Sequence, residues 1–249
     1  MYRGLITAAG LVAVWEAAAR LLELPPYILP PPSAVAVALW VRADLLAHHA
    51  LITATEIVLG LLCGVVLGVG TALLVVRSSI ARRWLLPVVI ASQAVPVFAL
   101  APLLVLWFGY GLASKIVMAA LVIYFPVAAS FFDGLRTTPA GWMELARTMG
   151  AREGAILRHL RIPAALPALA QGLRIAAAVA PIGAVIGEWV GSGAGLGFLM
   201  LHANGRMQID LLFAALVVLA AMAIALYYGL DALLRRLVPW QPQTLGSPR

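Results

Sequence analysis

Glu144-Leu-Ala-Arg-Thr-Met-Gly150, then nine residues, then Leu160-Arg-Ile-Pro163 form a polar, arginine-studded segment between two long apolar runs, 112–132 and 168–187. It is the longest polar insert in a chain that is otherwise mostly lipid-soluble. A membrane protein has little reason to hold so elaborate a loop in water unless something docks on it.

The rest of the chain is hydrocarbon-loving. Of its 249 residues, 63% are hydrophobic and 11% charged, and the mean hydropathy is +1.01. Soluble domains carry about 25% charge, so composition selects an all-α, polytopic membrane protein. A helix needs about 20 apolar residues to cross ~30 Å of hydrocarbon. Six runs meet or approach that length: 5–22, 51–76, 84–108, 112–132, 168–187 and 211–230. The first follows Arg3 and ends near Ala17-Ala18-Ala19, as a signal peptide does. Glu16 interrupts it and no secreted soluble domain follows, so it is expected to remain as an uncleaved span. The single Cys63 excludes an internal disulfide.

The net charge of +7 is spread through the loops, which is a topology signal and not a nucleic-acid footprint. With the N-terminus in the cytoplasm, the inner side holds Arg3, Arg77, Arg82, Arg83, Arg136, Arg147, Arg152, Arg158, Arg161, Arg235, Arg236 and Arg249. The outer side then holds only Arg20, Arg42, Lys115 and Arg206. That asymmetry places both termini and the 133–166 loop in the cytoplasm. The outer segment 23–47 starts with Pro25-Pro26 and Pro30-Pro31-Pro32, which favour extended chain. Ser33 is expected to cap a short interfacial helix running to Ala47, with Val35, Leu39, Leu45 and Leu46 on its apolar side.

Gly60, Gly64 and Gly68 recur every four residues in the second run and share one helix face, a groove for a neighbouring backbone. Pro87, Pro96 and Pro102 in the third imply a kinked helix beside a cavity. In the polar loop, Pro139 and Ala140 open a short helix that Gly150 ends with a left-handed turn. A second short helix, 151–159, is expected to stop at Pro163. The physics alone leaves two choices: a projecting helix–turn–helix knuckle, or a basic loop lying on anionic lipid.

Glu144-x-Ala146-xxx-Gly150, nine residues, Leu160-x-Ile162-Pro163 resembles the EAA loop of bacterial ABC-importer permeases: Glu-Ala-Ala, three residues, Gly, nine residues, Ile-x-Leu-Pro. Leu145 replaces the first alanine, and Leu160 and Ile162 exchange aliphatic types. The likeness covers roughly residues 50 to 240. Val95-Pro96 through Ala101-Pro102 to Trp107-Phe108-Gly109, and Gly187-Glu188-Trp189 through Gly195-Leu196-Gly197, are similar to the nitrate/sulfonate/taurine group. Leu199 to Asn204 looks most like members assigned to hydroxymethylpyrimidine, a thiamine precursor.

That resemblance implies a type I ABC-importer permease fold in a bacterial inner membrane. It also implies a second permease copy, two cytoplasmic ATPases that carry the ATP and Mg, and an outer solute-binding protein. Glu144, Ala146, Gly150, Leu160, Ile162 and Pro163 are then the ATPase-coupling residues. The chain itself lacks a phosphate-binding loop: its only lysine, Lys115, does not follow the required glycine spacing.

Glu56, Gln93, Pro96, Glu188 and Trp189 are the candidates for the translocation path, since polar and ionisable groups at membrane depth face cavities or partners. Trp189 and Trp107 also suit interfacial anchoring. With no arginine or lysine expected deep in the membrane, a neutral or weakly basic ring is favoured as cargo over an anion. The histidines His48, His49, His159 and His202 lack metal-ligand spacing, and no catalytic constellation appears. The rival class is an ion-coupled carrier titrating on Glu56 or Glu188, which would need no docking knuckle.

Overall fold

The computed structural model describes residues 2–92 and 95–240. Among these, every regular element is helical: α1 (Tyr2–Leu21), α2 (Pro32–Val41), α3 (Ala43–Arg77), α4 (Ser79–Ser92), α5 (Val97–Phe108), α6 (Leu112–Arg136), α7 (Ala140–Thr148), α8 (Glu153–Ile156), α9 (Ile162–Gly191), α10 (Leu196–Gly205) and α11 (Ile209–Leu237). A π turn, Leu157–Arg161, joins α8 to α9 without interruption, making one rod from Glu153 to Gly191.

Helices α3, α6, the α8–α9 rod and α11 are each long and apolar enough to cross a bilayer. They contain the expected runs 51–76, 112–132, 168–187 and 211–230. Helix α1 spans 20 residues, about 30 Å at 1.5 Å per residue.

Three expectations need correction. The third run is not one kinked helix: α4 and α5 are separate and bent by more than 40° relative to each other, with Pro96 as the N-cap of α5. Proline cannot donate to the preceding turn, so a helix start suits it better than a helix interior. Ser33 does not cap an interfacial helix ending at Ala47. Helix α2 starts at Pro32 and stops at Val41, while residues 43–47 open the 35-residue α3. Ser33 instead gives its N–H and its hydroxyl to the Glu16 carboxylate, at 3.0 and 2.9 Å, so the charge that interrupts α1 serves the amino end of α2.

Pro163, third, does not end a helix. It sits in the first turn of α9, just past the π turn. The wider turn absorbs the donor and the space that a proline ring denies to a regular helix.

The centre is a three-helix seam. Helix α6 packs mainly on α9 and α3, and Ala119 of α6 is fully buried between Gly60 of α3 and Gly183 of α9. A Cβ on Gly60 would collide with the Ala119 methyl, and one on Gly183 would lie 2.9 Å from the Ala119 Cα. Further along, Cβ atoms on Gly64 and Gly68 would reach within 2.7 Å of Ile123 Cγ2 and 2.9 Å of Val127 Cγ1. The expected glycine groove is real, and α6 fills it. Ala176, Ala180 and Ala184 continue the small-residue surface on α9. In lipid such close backbone approach replaces the hydrophobic drive that water supplies.

Replacing Gly183 with leucine should overpack this seam at a cost of about 1–3 kcal/mol and lower the thermal midpoint in detergent. Gly70→Ala, at a position with no atom within 4 Å, should leave it unchanged or raised. Equal midpoints for Gly183→Leu and the parent chain would disprove the seam.

Candidate functional site

Two constellations stand out, one at each end of the α8–α9 rod. The first is the knuckle. Helix α7 ends in a Schellman motif: the Ala151 N–H donates to the Ala146 carbonyl at 3.0 Å, and the Gly150 N–H to the Arg147 carbonyl at 2.9 Å. That closure requires a left-handed residue after the cap, and Gly150 has φ +78°. Arg147 and Glu153 pair across the turn at 3.0 Å. Both are exposed, so the pair contributes little beside the backbone cap.

The base of the knuckle is tied to the bundle. Arg161 donates from Nε and Nη2 to the Leu135 carbonyl near the end of α6, at 3.1 and 2.8 Å, alongside the Thr138 hydroxyl at 3.3 Å. Ile162 packs on the core cluster of Phe131, Leu135 and Ala165. Leu160 and Pro163 line a cavity of about 430 Å³ together with Trp142, Pro139, His159 and Trp240.

The structure therefore brings Glu144, Ala146 and Gly150 onto one arm of the knuckle and Leu160, Ile162 and Pro163 onto the other. Glu144 is exposed and makes no ion pair among the described residues. Trp142 and Leu145 on α7 and Met149 at its C-cap, spaced three and four apart, are also exposed, Met149 by 79%. Three large apolar side chains on one solvent-facing stripe of a short helix mark a contact surface.

The second constellation is a buried polar cluster at the opposite end of the rod. Glu188, one residue past the apolar run 168–187, lies in the last turn of α9, inside the helix. It is 1% exposed. Its Oε2 accepts the N–H groups of Gly197 and Phe198 at 2.5 and 3.2 Å, and its Oε1 accepts the Thr53 hydroxyl at 2.6 Å. The Thr53 oxygen also accepts the Leu196 N–H at 2.8 Å. His49 Nδ1 accepts the Gly195 N–H at 2.9 Å, which leaves the ring proton on Nε2. Four consecutive N–H groups at the start of α10 are thus satisfied by side chains of α3 and α9. The carboxylate also sits at the positive end of the α10 dipole.

Glu56, one turn beyond Thr53, is fully buried with its carboxylate 3.5 Å from Lys115 Nζ. Neither of its oxygens has a hydrogen-bond partner. Lys115 was expected among the outer loop cations; it is instead buried in the first turns of α6. Its burial follows from that of Glu56, because burying the acid without a counter-ion would cost far more than burying the pair.

Glu56 and Glu188 are both buried, at 0 and 1% exposure. Pro96 and Trp189 are exposed, and Gln93 lies outside the described residues. Sequence reasoning missed His49, Thr53 and Lys115. A signal existed: His49, Thr53, Glu56 and Gly60 are spaced four, three and four apart, continuing the glycine stripe as one buried face of α3.

The family described as "Binding-protein-dependent transport system inner membrane component" matches residues 60–241. An ABC transporter permease protein of Haemophilus influenzae is 52% identical over 238 residues, covering 96% of this chain and 97% of that protein. The formylaminopyrimidine transport permease protein of Halalkalibacterium halodurans is 35% identical, over 93% of this chain and 92% of its own length. The taurine transport system permease protein of Escherichia coli is 34% identical, over 94% and 88%. Among solved structures, an inward-facing methionine ABC transporter chain superposes with a TM-score of 0.68 at 22% identity, over 79% of this chain and 97% of that one. That likeness is one of fold.

Removing the Glu188 carboxylate should orphan buried N–H groups, each worth about 1–3 kcal/mol. Glu188→Ala is expected to lower the thermal midpoint clearly, and Glu188→Gln, which keeps one acceptor oxygen, to lower it less. Thr55→Ala, whose exposed hydroxyl only returns to the Leu51 carbonyl, is the control. No difference between Glu188→Ala and that control would show that the cluster does not hold α10.

Proposed function

The chain belongs to the binding-protein-dependent transport inner membrane component family, and from that premise we propose that two copies of it form the membrane path of an ATP-driven importer gripped through the α7 knuckle. Its relatives are permease subunits of ABC transporters, so ATP hydrolysis belongs to a separate chain. The single observation that carries the coupling role is the pairing of a backbone-locked turn at Gly150 with the exposed Trp142–Leu145–Met149 stripe.

In this reading the stripe and Glu144 seat in the cytoplasmic ATPase, which holds ATP and Mg. Closure of the ATPases pulls on α7. Because Arg161 and Ile162 bind the base of the knuckle to α6, and the rod runs unbroken to Glu188, the pull reaches the far end of the bundle.

Counting α1 and the α4–α5 pair as spans gives six, with both termini and the knuckle in the cytoplasm of a bacterial inner membrane. The charge asymmetry of the loops supports that orientation. An outer solute-binding protein delivers the cargo, as the family description implies. Pro96, Gln93 and Trp189 are assigned to the path. Glu56 and Glu188 are assigned to holding its outer end shut.

For cargo, a pyrimidine precursor of thiamine is proposed, on the likeness to the formylaminopyrimidine permease. The taurine permease, at similar identity, supports a sulfonate as the second reading. The buried Lys115 removes the electrostatic objection to an anion, since it balances Glu56.

Gly150→Val should abolish cargo-stimulated ATP hydrolysis in proteoliposomes holding the permease, its ATPase and its binding protein, while the variant still inserts in the membrane. A β-branched residue is a poor fit to φ +78°. Full stimulation would refute the coupling role. In the same vesicles, hydroxymethylpyrimidine or its formylamino analogue should drive uptake; taurine driving it instead would overturn the cargo assignment alone.

A further inference from the structure

Beside the Glu188 cluster lies a cavity of about 260 Å³ enclosed by the starts of α3 and α11 and by α10. Its polar lining comprises Arg42, His49, His202, Arg206 and Gln208. No carboxylate lines it. Arg42 and Arg206 form no ion pair within the described residues, although six other ion pairs occur there. Two unpaired guanidiniums in one cavity present planar forks of donors suited to phosphate oxygens.

The histidines add donors without competing for that role. His49 spends Nδ1 as an acceptor on the Gly195 N–H, so Nε2–H is its remaining donor. His202 directs Nδ1 at the Phe198 carbonyl, 3.1 Å away, and its ring packs against Phe198 at a tilt of 36° with centroids 3.9 Å apart. That contact holds the His202 ring in place at the cavity wall.

Arg42, Gln208 and Leu211 also line an adjoining cavity of about 210 Å³, whose other walls are Val37, Ala38, Val41 and Asp210. Asp210 is the carboxylate in that lining, and it pairs with neither arginine within the described residues. The exposed face of α2 continues from there: Val37, Val41 and Trp40 are open by 62, 69 and 86%. A cationic cavity running into an apolar helix face with an exposed tryptophan matches the amphipathic profile of a phospholipid at the membrane interface. An acidic loop of a soluble partner would leave that apolar face uncovered.

We propose that Arg42, Arg206, His49 and His202 form a binding site for a phosphate group, filled by the headgroup of an anionic phospholipid whose acyl chains lie on α2. The site is defined by these side chains and does not depend on the coupling role of the knuckle or on the cargo.

The test uses the full chain purified in detergent, with phosphatidylglycerol as probe and native mass spectrometry as readout. Arg42→Gln with Arg206→Gln should retain one fewer phosphatidylglycerol per chain and weaken binding at least tenfold, with far-UV circular dichroism unchanged. Phosphatidylcholine should be retained poorly by both proteins. Inorganic phosphate displacing phosphatidylglycerol from the parent chain, but not from the double variant, would support the phosphate chemistry and show that free phosphate also fills the site. Equal phosphatidylglycerol retention by parent and double variant would overturn the proposal. So would a variant that keeps its lipid and loses only stimulation by the outer binding protein, because the arginines would then serve a protein partner.

Discussion

The contact on which everything else rests is the close approach of α3, α6 and α9 around Ala119. Lipid offers no reward for burying one more leucine, so these helices cohere by letting their backbones nearly touch. Gly60 on one side and Gly183 on the other leave room for a single methyl group between them. This clamp sets the register of α3 against α9. That register in turn puts His49, Thr53 and Glu56 opposite Glu188 and the start of α10. A slip of one residue along either helix would leave the polar groups facing apolar neighbours, at a cost of several kcal/mol for the charged ones.

The second consequence is mechanical. The rod from Glu153 to Gly191 has 39 residues, about 58 Å at helical rise. It carries the knuckle arm with Leu160 and Pro163 near one end and Glu188 near the other. Its three prolines and its π turn would ordinarily be places for it to bend, yet Pro163 sits at a helix start and Pro167 and Pro181 are carried inside the packed helix. Arg174 of α9 further binds Asp231 of α11 at 2.7 Å, bracing the rod part-way along. A stiff element with a handle at one end and a polar latch at the other is suited to move as a body.

Much of this was legible in the residues. The apolar runs placed four helices because hydrocarbon thickness dictates their length. The Gly60–Gly64–Gly68 spacing announced a packing groove. Gly150 declared its own backbone conformation, since little else tolerates a positive φ there. What failed did so for physical reasons. Ser33 looked like a cap, but the carboxylate that claimed it lies in another helix, seventeen residues away. Pro163 looked like a stop, because a π turn leaves no mark in local composition. Lys115 looked like a loop charge, because only the fold reveals that Glu56 waits beside it. Glu188 falls just outside the apolar run 168–187, and its partners are N–H groups that no sequence displays.

The pairing of Glu56 with Lys115, and of Thr53 and His49 with groups near residue 190, also sets an order of events during synthesis. Helix α3 enters the bilayer carrying an acid whose counter-ion has not yet been translated. That acid stays uncompensated until α6 arrives, and the adjacent hydroxyl and imidazole stay so until the α9–α10 corner follows. The chain is therefore least at home in the membrane midway through its own insertion, until the α9–α10 corner closes on α3.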